Sequence, residues 1–449
     1  MAAEIAPPIA GRSFLQRLNQ LTGADIAACK NLTGSAALGG DWDLEVTIGS
    51  IETALAFTQE AIASYDRVLA IINVTTTDDE DNGTLGGGAG ISLREAIRYS
   101  AAGDTINLPA GTFTLTMTGA DENLGATGDL DITQNLTITG SGAATTTINT
   151  AAAWDDRVFQ VVTGNTFSIS GATISGGQIP GGELSGGGIY GELGGGGIYN
   201  VGTLTVANCT FQNNHSNAGG AIFNTGTQMT VTGSTFNLNT ADNGGAIYNN
   251  YGLGTIDSSI IDNNKATLLG GGGIRNQSGT LSITNSSITN NEVTGQGGGG
   301  IFDNDGTLTI VGTTFSGNKA SDATGSFSGG GAIYNSSGTL NITNSKLSGN
   351  TAVQKGGAIW WIGTGSITNS TITNNTADSD SNNGVNDNGG GIFSESTTIA
   401  LINTIIAGNL DASTAAGTIH PDVSGNITGN NNNLDRQPDG QHGYSGYGY

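Results

Sequence analysis

Few residues in this chain have a type and spacing suited to chemistry, and most are acids. Arg275 lies one repeat unit before Asp303 and Asp305, Asp257 and Asp262 are five apart, and Asp-Asp pairs fall at 78–79 and 155–156. Carboxylates beside a basic group can hold a divalent cation while the base removes an acidic C–H proton. Two facing carboxylates can share acid and base work on a glycosidic bond. The stretches GDLDI (128–132) and DDED (78–81) offer oxygens to Ca2+, but neither completes a loop with enough ligands. His215, His420 and His442 are scattered without metal-ligand spacing. Asp257 and Asp262 are expected to point outward on either side of a bend. Arg275 with its two aspartates reads as surface salt pairs of little energetic weight. We therefore expect no catalytic residue, no metal site and no cofactor, Ca2+ being the one ion considered.

The elements that would position such groups are written in the composition. The chain has 449 residues, 76 of them glycine and only 6 proline, with no collagen-like period. Ile, Leu and Val lie among Thr, Ser and Asn, a mixture that suits short strands and turns. Helix formers are scarce after about residue 70. A formal charge of −24 would repel a phosphate backbone, so nucleic acid is not expected as a partner. Cys29 and Cys209 cannot form a disulfide framework. No apolar run approaches a membrane span, so an integral membrane protein is not expected. The N-terminus MAAEIAPPIAGRS lacks the basic and apolar regions of an ordinary signal peptide.

Residues 1–72 read as a partial α/β module. Phe14, Leu15, Leu18 and Leu21 have helical spacing ended by Gly23, ADIAAC and WDLEV read as strands, and 51–70 has helix composition. Residues 73–130 read as an acidic, glycine-rich linker and a cap with one short helix. The span 131–430 is repetitive, and 431–449 is a polar tail.

Within the repeats, apolar pairs recur five apart, from Val206/Phe211 through Ile283/Ile288 to Leu401/Ile406. An Asn follows three residues after each pair: Asn214, Asn239, Asn264, Asn291, Asn318, Asn350, Asn375 and Asn409. Between them stand glycine-rich units such as GGAIFN (219–224) and GGGGIRN (270–276), each with an invariant Ile. The period of about 25 residues predicts three short strands per unit, and units that bury their apolar faces only by stacking. That is an all-β solenoid of about ten rungs, roughly 50 Å long. The glycines are not a phosphate loop: no Lys-Ser/Thr and no helix follows, and the run recurs along the chain. They supply turns with positive φ.

The two-residue strand period places the invariant Ile, Leu281, Ile283 and Ile288 inside. A column of small residues, Ala172, Cys209, Ser234, Ser259, Ser286, Thr313, Ser345, Ser370 and Thr404, also points in. The Asn column tolerates left-handed backbone and can bond rung to rung. The residue after the invariant Ile points outward: Tyr190, Tyr199, Phe223, Tyr248, Arg275, Phe302, Tyr334, Trp360 and Phe393. From Tyr199 to Phe393 these are the candidate ligand-binding residues, an aromatic stripe on which sugar rings would stack. The other reading is a self-stabilising ladder, with the Arg275 guanidinium flat between Tyr248 and Phe302.

FQNN, FNLN and FSGN with GGAI resemble the FxxN and GGA-[ILV] repeats of the polymorphic outer membrane proteins. ISLREAIRYSAAGDTINLPAGTFTLT (91–116) resembles the CSLREA-type start of bacterial β-helices, with Ile91 where that family has Cys. Residues 14–57 resemble the end of an uncharacterised module of cyanobacterial surface proteins. The resemblance implies a right-handed, single-stranded parallel β-helix of the pectate-lyase-like superfamily. It further implies a place outside the cell or on its outer surface, adhesion or a stalk role, and a polysaccharide or cell-surface glycan as partner. It also raises a polysaccharide lyase or hydrolase as the alternative. Hydrolases of that superfamily carry Gly-His-Gly and Arg-Ile-Lys, neither of which occurs here. An intracellular scaffold is the third reading, resting on the N-terminus alone.

Overall fold

The computed structural model describes residues 10–28, 33–34, 41–51, 70–119, 124–179, 194–322, 329–379, 389–395, 399–413, 420–425, 427–430 and 434–436. Tyr190 and its glycine unit, the tail 437–449, and most of the helix-like stretch 51–70 lie outside these residues. So do residues 323–328 and 380–388. Of the N-terminal segment, a helix over Ala10–Thr22 and an antiparallel pair, Ile26–Ala28 with Val46–Ile48, are described.

From Ile71 onward the chain winds into a parallel β-helix of four sheets, with 11, 13, 12 and 8 strands among the described residues. The rung holding GGGGIRN shows the plan. Ile274–Gln277 joins the first sheet, Thr280–Thr284 the second, Ser287–Thr289 the third and Glu292–Val293 the fourth. Ile274 pairs with Ile247 below and Ile301 above, and every column keeps such a register. Three strands per rung were expected and there are four. The fourth is two to four residues long, as in Lys265–Ala266, too short for an alternation to appear in sequence. The 13 strands of the second sheet make a stack roughly 60 Å long at about 4.8 Å per rung.

The stack begins earlier than the repeats suggest. Ile71–Asn73, Thr105–Leu108 and Gly111–Leu115 pair into the same sheets. The acidic stretch between the first and second of these strands is not a loose linker. Asp79 pairs with Arg94 at 2.7 Å, Asp81 pairs with Arg98, and Glu80 accepts the Ala89 N–H. Arg94 sits on a helix, Leu93–Arg98, closed by a capping box between Ser92 and Glu95. Its buried guanidinium donates to the carbonyls of Gly125 and Gly128. The helix turns Leu93, Ala96 and Ile97 into the core and caps the stack.

One continuous apolar core runs from Ile72 to Val423, lined by the invariant Ile and by the Leu, Val, Ile and Phe columns of the second and third sheets. Gly245 shows why glycine recurs before the Ile. A Cβ there would lie 2.1 Å from the Gly272 carbonyl oxygen on the next rung. A side chain is therefore excluded at Gly245 by the approach of the neighbouring turn, while Gly244 before it holds φ at 65°, the angle that favours glycine.

Polar side chains inside the coil bond along the axis. In the small column, the Ser234 N–H donates to Ser259 Oγ and the Ser259 N–H to Ser286 Oγ, both at 3.1 Å. In the Asn column, Asn264 donates its N–H and its amide to Asn291 Oδ1, and gives its other amide hydrogen to the Phe236 carbonyl. The pattern repeats from Asn214 to Asn409. Left-handed backbone falls one residue earlier than expected, at Asn213, Leu238, Asn263, Asn290 and Asn374. That turn aims the next amide along the stack.

Candidate functional site

The expected site is the column after the invariant Ile, and the structure places all eight residues from Tyr199 to Phe393 in one register line on the first sheet. Alternation is obeyed, since none of the eight belongs to the main core. Exposure is not. Phe223, Tyr248, Arg275, Phe302, Tyr334 and Trp360 are buried, each 6% exposed or less, while Tyr199 and Phe393 are half-buried. The expectation of an open aromatic stripe is thus corrected.

The cover is the chain itself. After the fourth strand the backbone runs along the outer side of the column before it turns at the glycines. Ala218 packs on Phe223 and Tyr248, and Leu269 on the Phe302, Tyr334 and Trp360 cluster. Gly194 and Gly329 come so near that a Cβ would stand 2.2 Å from the Phe223 ring and 2.6 Å from the Trp360 ring. These covering residues pair with one another, Gly194 with Ala218 and Gly329 with Lys355. The column is a filled layer between the first sheet and this strip.

Inside the layer the rings stack. Tyr199 and Phe223 lie 5.5 Å apart and nearly parallel, and Tyr334 and Trp360 lie 4.4 Å apart. Burial raises the Tyr334 phenol, and Glu395 adds to the effect. Arg275 interrupts the rings with its guanidinium 4.9 Å from the Tyr248 centroid and 5.6 Å from that of Phe302. It donates to Asn243 Oδ1 at 2.6 Å and Gln277 Oε1 at 2.9 Å. Two cations escaped the sequence reading because they lie outside the column's own positions. Arg157 stands over Tyr199 at 5.1 Å, and Lys355 over Trp360 and Phe393 at 4.9 and 4.6 Å.

The Arg-Asp-Asp arrangement considered for proton abstraction does not form. Asp303 follows Phe302 and turns to the opposite face, where Asn276 and Asn335 donate to its two oxygens. Asp305 accepts from Ser337. Asp257 and Asp262 each accept a threonine hydroxyl and an Asn amide from the next rung: Thr284 and Asn285, then Thr289 and Asn290. The asparagines after the column, Asn200, Asn224, Asn249 and Asn276, form a second buried amide ladder. The repeated I-x-N of the glycine units carried that signal, unread.

An acid of the GDLDI stretch and one of the 155–156 pair do meet, near the cap. The Asp129 N–H donates to Asp156 Oδ2 at 3.1 Å, and Arg157 Nε lies 3.8 Å from Asp129 and 3.9 Å from Asp156. Burial, then repulsion from Asp156 and Asp131, holds Asp129 well above the ordinary carboxylate range. Burial also raises Asp156, against the pull of Arg157. Among the described residues, no group of three or more His, Cys, Asp or Glu is arranged to hold a metal ion.

Comparison with known proteins adds the following. Residues 2–69 match the family described as Domain of unknown function (DUF4347). Residues 208–225 match the Chlamydia polymorphic membrane protein (Chlamydia_PMP) repeat. No curated protein matches the chain. Among solved structures, the catalytic domain of a GH87 alpha-1,3-glucanase in complex with tetrasaccharides is 13% identical, with a TM-score of 0.43 over 80% of this chain and 71% of that one. Pectate lyase Pel9A is 15% identical, with a TM-score of 0.35 over 82% and 78%. The catalytic unit of a GH87 alpha-1,3-glucanase from Streptomyces thermodiastaticus is 14% identical, with a TM-score of 0.43 over 81% and 70%. At these identities and scores the structures say nothing of what this chain does. What stands is a parallel β-helix with one stretch like a polymorphic membrane protein repeat, whose aromatic column is closed by its own backbone.

Proposed function

We propose that the protein is a non-enzymatic, exported β-helix that serves as a rigid stalk or adhesive rod at the cell surface. The observation that carries this is the covered column. The residues best suited to hold a sugar are stacked on each other, capped by cations and sealed by the strip through Ala218, Leu269 and Gly329. We assign Tyr199, Phe223, Tyr248, Arg275, Phe302, Tyr334, Trp360 and Phe393 to holding the stack rather than to a ligand. The axial ladders support the same reading, because they spend buried polar groups on rung-to-rung bonds. The match at residues 208–225 supports surface display.

The test has two arms. Surface proteolysis of intact source cells should remove the protein, and cells lacking it should adhere less. The purified chain, incubated with pectin, alginate and α-1,3-glucan with and without Ca2+, should release neither unsaturated uronates nor reducing ends. Product formation that survives repurification would overturn the non-enzymatic reading. Protection from protease on intact cells would overturn surface display.

A further inference from the structure

The second amide ladder changes direction at one residue. Asn200 donates to Asn224 Oδ1, Asn224 to Asn249 Oδ1 and Asn249 to Asn276 Oδ1, at 2.6, 2.7 and 2.8 Å. Asn276 then donates to Asp303 Oδ1 at 2.7 Å. From the far side Asn335 donates back, to Asp303 Oδ2 at 2.8 Å. Two donors converge on one side chain, and a carboxylate is the group that accepts on both oxygens.

The reversal has a cause one rung further on. The next ladder position is Trp361, which offers no amide. The Gly363 N–H bonds to Asn335 Oδ1 instead, at 3.0 Å, and Asn335 Nδ2 also donates to the Ser337 carbonyl at 3.2 Å. Turning the Asn335 amide over would break both bonds. Asn335 is therefore pinned with its NH2 toward Asp303.

We infer that Asp303 is a proton-controlled joint between the two parts of this ladder, its carboxylate accepting from both Asn276 and Asn335 and releasing one of them when it takes up a proton. A proton on Oδ2 would face the pinned Asn335 NH2, donor against donor, and one on Oδ1 would face the Asn276 NH2, which is held by Asn249 and the Gly279 carbonyl. The charged surroundings are sparse. Asp305 is the neighbour whose charge acts on Asp303. Arg275, on the rung below, turns to the opposite face and donates to Asn243 and Gln277. On the rung above, Ile333–Asn335 and Gly338–Thr343 carry one ionisable side chain, the Tyr334 phenol, which lies in the aromatic column on the opposite face and is raised by burial.

Burial pushes the Asp303 carboxyl up to about 7, against the two amide bonds that favour its charged form. The sign follows. The folded chain holds this proton more tightly than the unfolded chain, whose Asp titrates near 4. The contribution to stability is thus full below about pH 4 and is lost as pH rises toward 7, by up to tenfold in the folding constant per pH unit.

The experiment compares the full chain with Asp303→Asn and Asp305→Asn. Asn at 303 offers one oxygen and one NH2 at every pH, so it accepts from only one of the two amides and cannot titrate. In the unaltered chain, the side-chain NMR signals of Asn335 and the Gly363 amide signal should shift together with a midpoint near neutral. That transition should vanish in Asp303→Asn and move to lower pH in Asp305→Asn. The decline in melting temperature from pH 5 to 8 should be shallower in Asp303→Asn than in the unaltered chain, the other titrating groups being common to those two. Asn335 signals that stay fixed from pH 5 to 8, or stability profiles of equal slope in the unaltered chain and Asp303→Asn, would overturn the proposal.

Discussion

Asn409 gives both its backbone N–H and its side-chain amide to Oδ1 of Asp422, at 3.0 and 2.8 Å. The ladder that starts at Asn214 thus ends on a carboxylate. Each amide in it faces the C-terminal end, so the last one needs a neighbour that accepts. Asp422 meets that need from the turn before Val423, fully buried.

This relationship predicts an order among variants. Asp422→Asn keeps an oxygen for Asn409 and should change stability little. Asp422→Ala leaves two buried donors without their acceptor and should cost about 3 kcal/mol. Hydrogen exchange at the Asn409 amide would locate the damage. Equal melting temperatures for Asp422→Ala and Asp422→Asn would show that the terminal acceptor does not matter.

Arg275 predicts a second order. Its guanidinium is flat enough to stand between rings, and its hydrogen-bond partners Asn243 and Gln277 are polar groups near the same layer. Arg275→Ala opens a gap in the column and orphans the buried Asn243 oxygen, a loss of about 3 kcal/mol. Arg275→Lys keeps the charge but not the plane or the fork, and should recover only part of it. Arg275→Tyr restores the ring stack of the neighbouring rungs and should exceed Lys. Chemical denaturation of the three variants checks this; a lysine variant as stable as the parent chain would remove stacking as the reason for arginine.

How far the sequence shows the structure depends on what repeats. The Ile, the small residues and the Asn column recur at fixed offsets, and the inward placement of the first two follows from a period of two. Ser286 is buried where that parity puts it, whereas Asn264, three residues after Ile261, is turned inward by the left-handed Asn263 before it. The fate of Tyr248 and Phe302 could not be read the same way. Parity says which side of a strand a ring leaves from, not what lies over it. Their cover comes from Ala218 and Leu269, residues with no common type, at or just after a fourth strand too short to show a pattern. Asp303 was visible as a departure from I-x-N, but its meaning needed the register that sets it between Asn276 and Asn335 and two rungs below the level of Trp361.

Leu238 gives the last prediction. It holds φ at 57°, in the line where Asn213, Asn263, Asn290 and Asn374 also turn left-handed and where Gly317, Gly349 and Gly408 replace them. Leucine in that conformation strains its Cβ against the backbone by about 1–2 kcal/mol. It gains little in return, since the side chain is 52% exposed. Leu238→Asn should therefore raise stability by about 1 kcal/mol, because Asn visits this region at lower cost. Leu238→Val adds a branch at Cβ and should lower stability by a similar amount of about 1 kcal/mol. Glycine frees the turn but also loosens the unfolded chain, so Leu238→Gly should fall between Asn and the parent. The order Asn, Gly, Leu, Val in denaturation midpoint is the expected result. A valine variant equal to the asparagine variant would mean that the turn before Asn239 is not set by backbone strain.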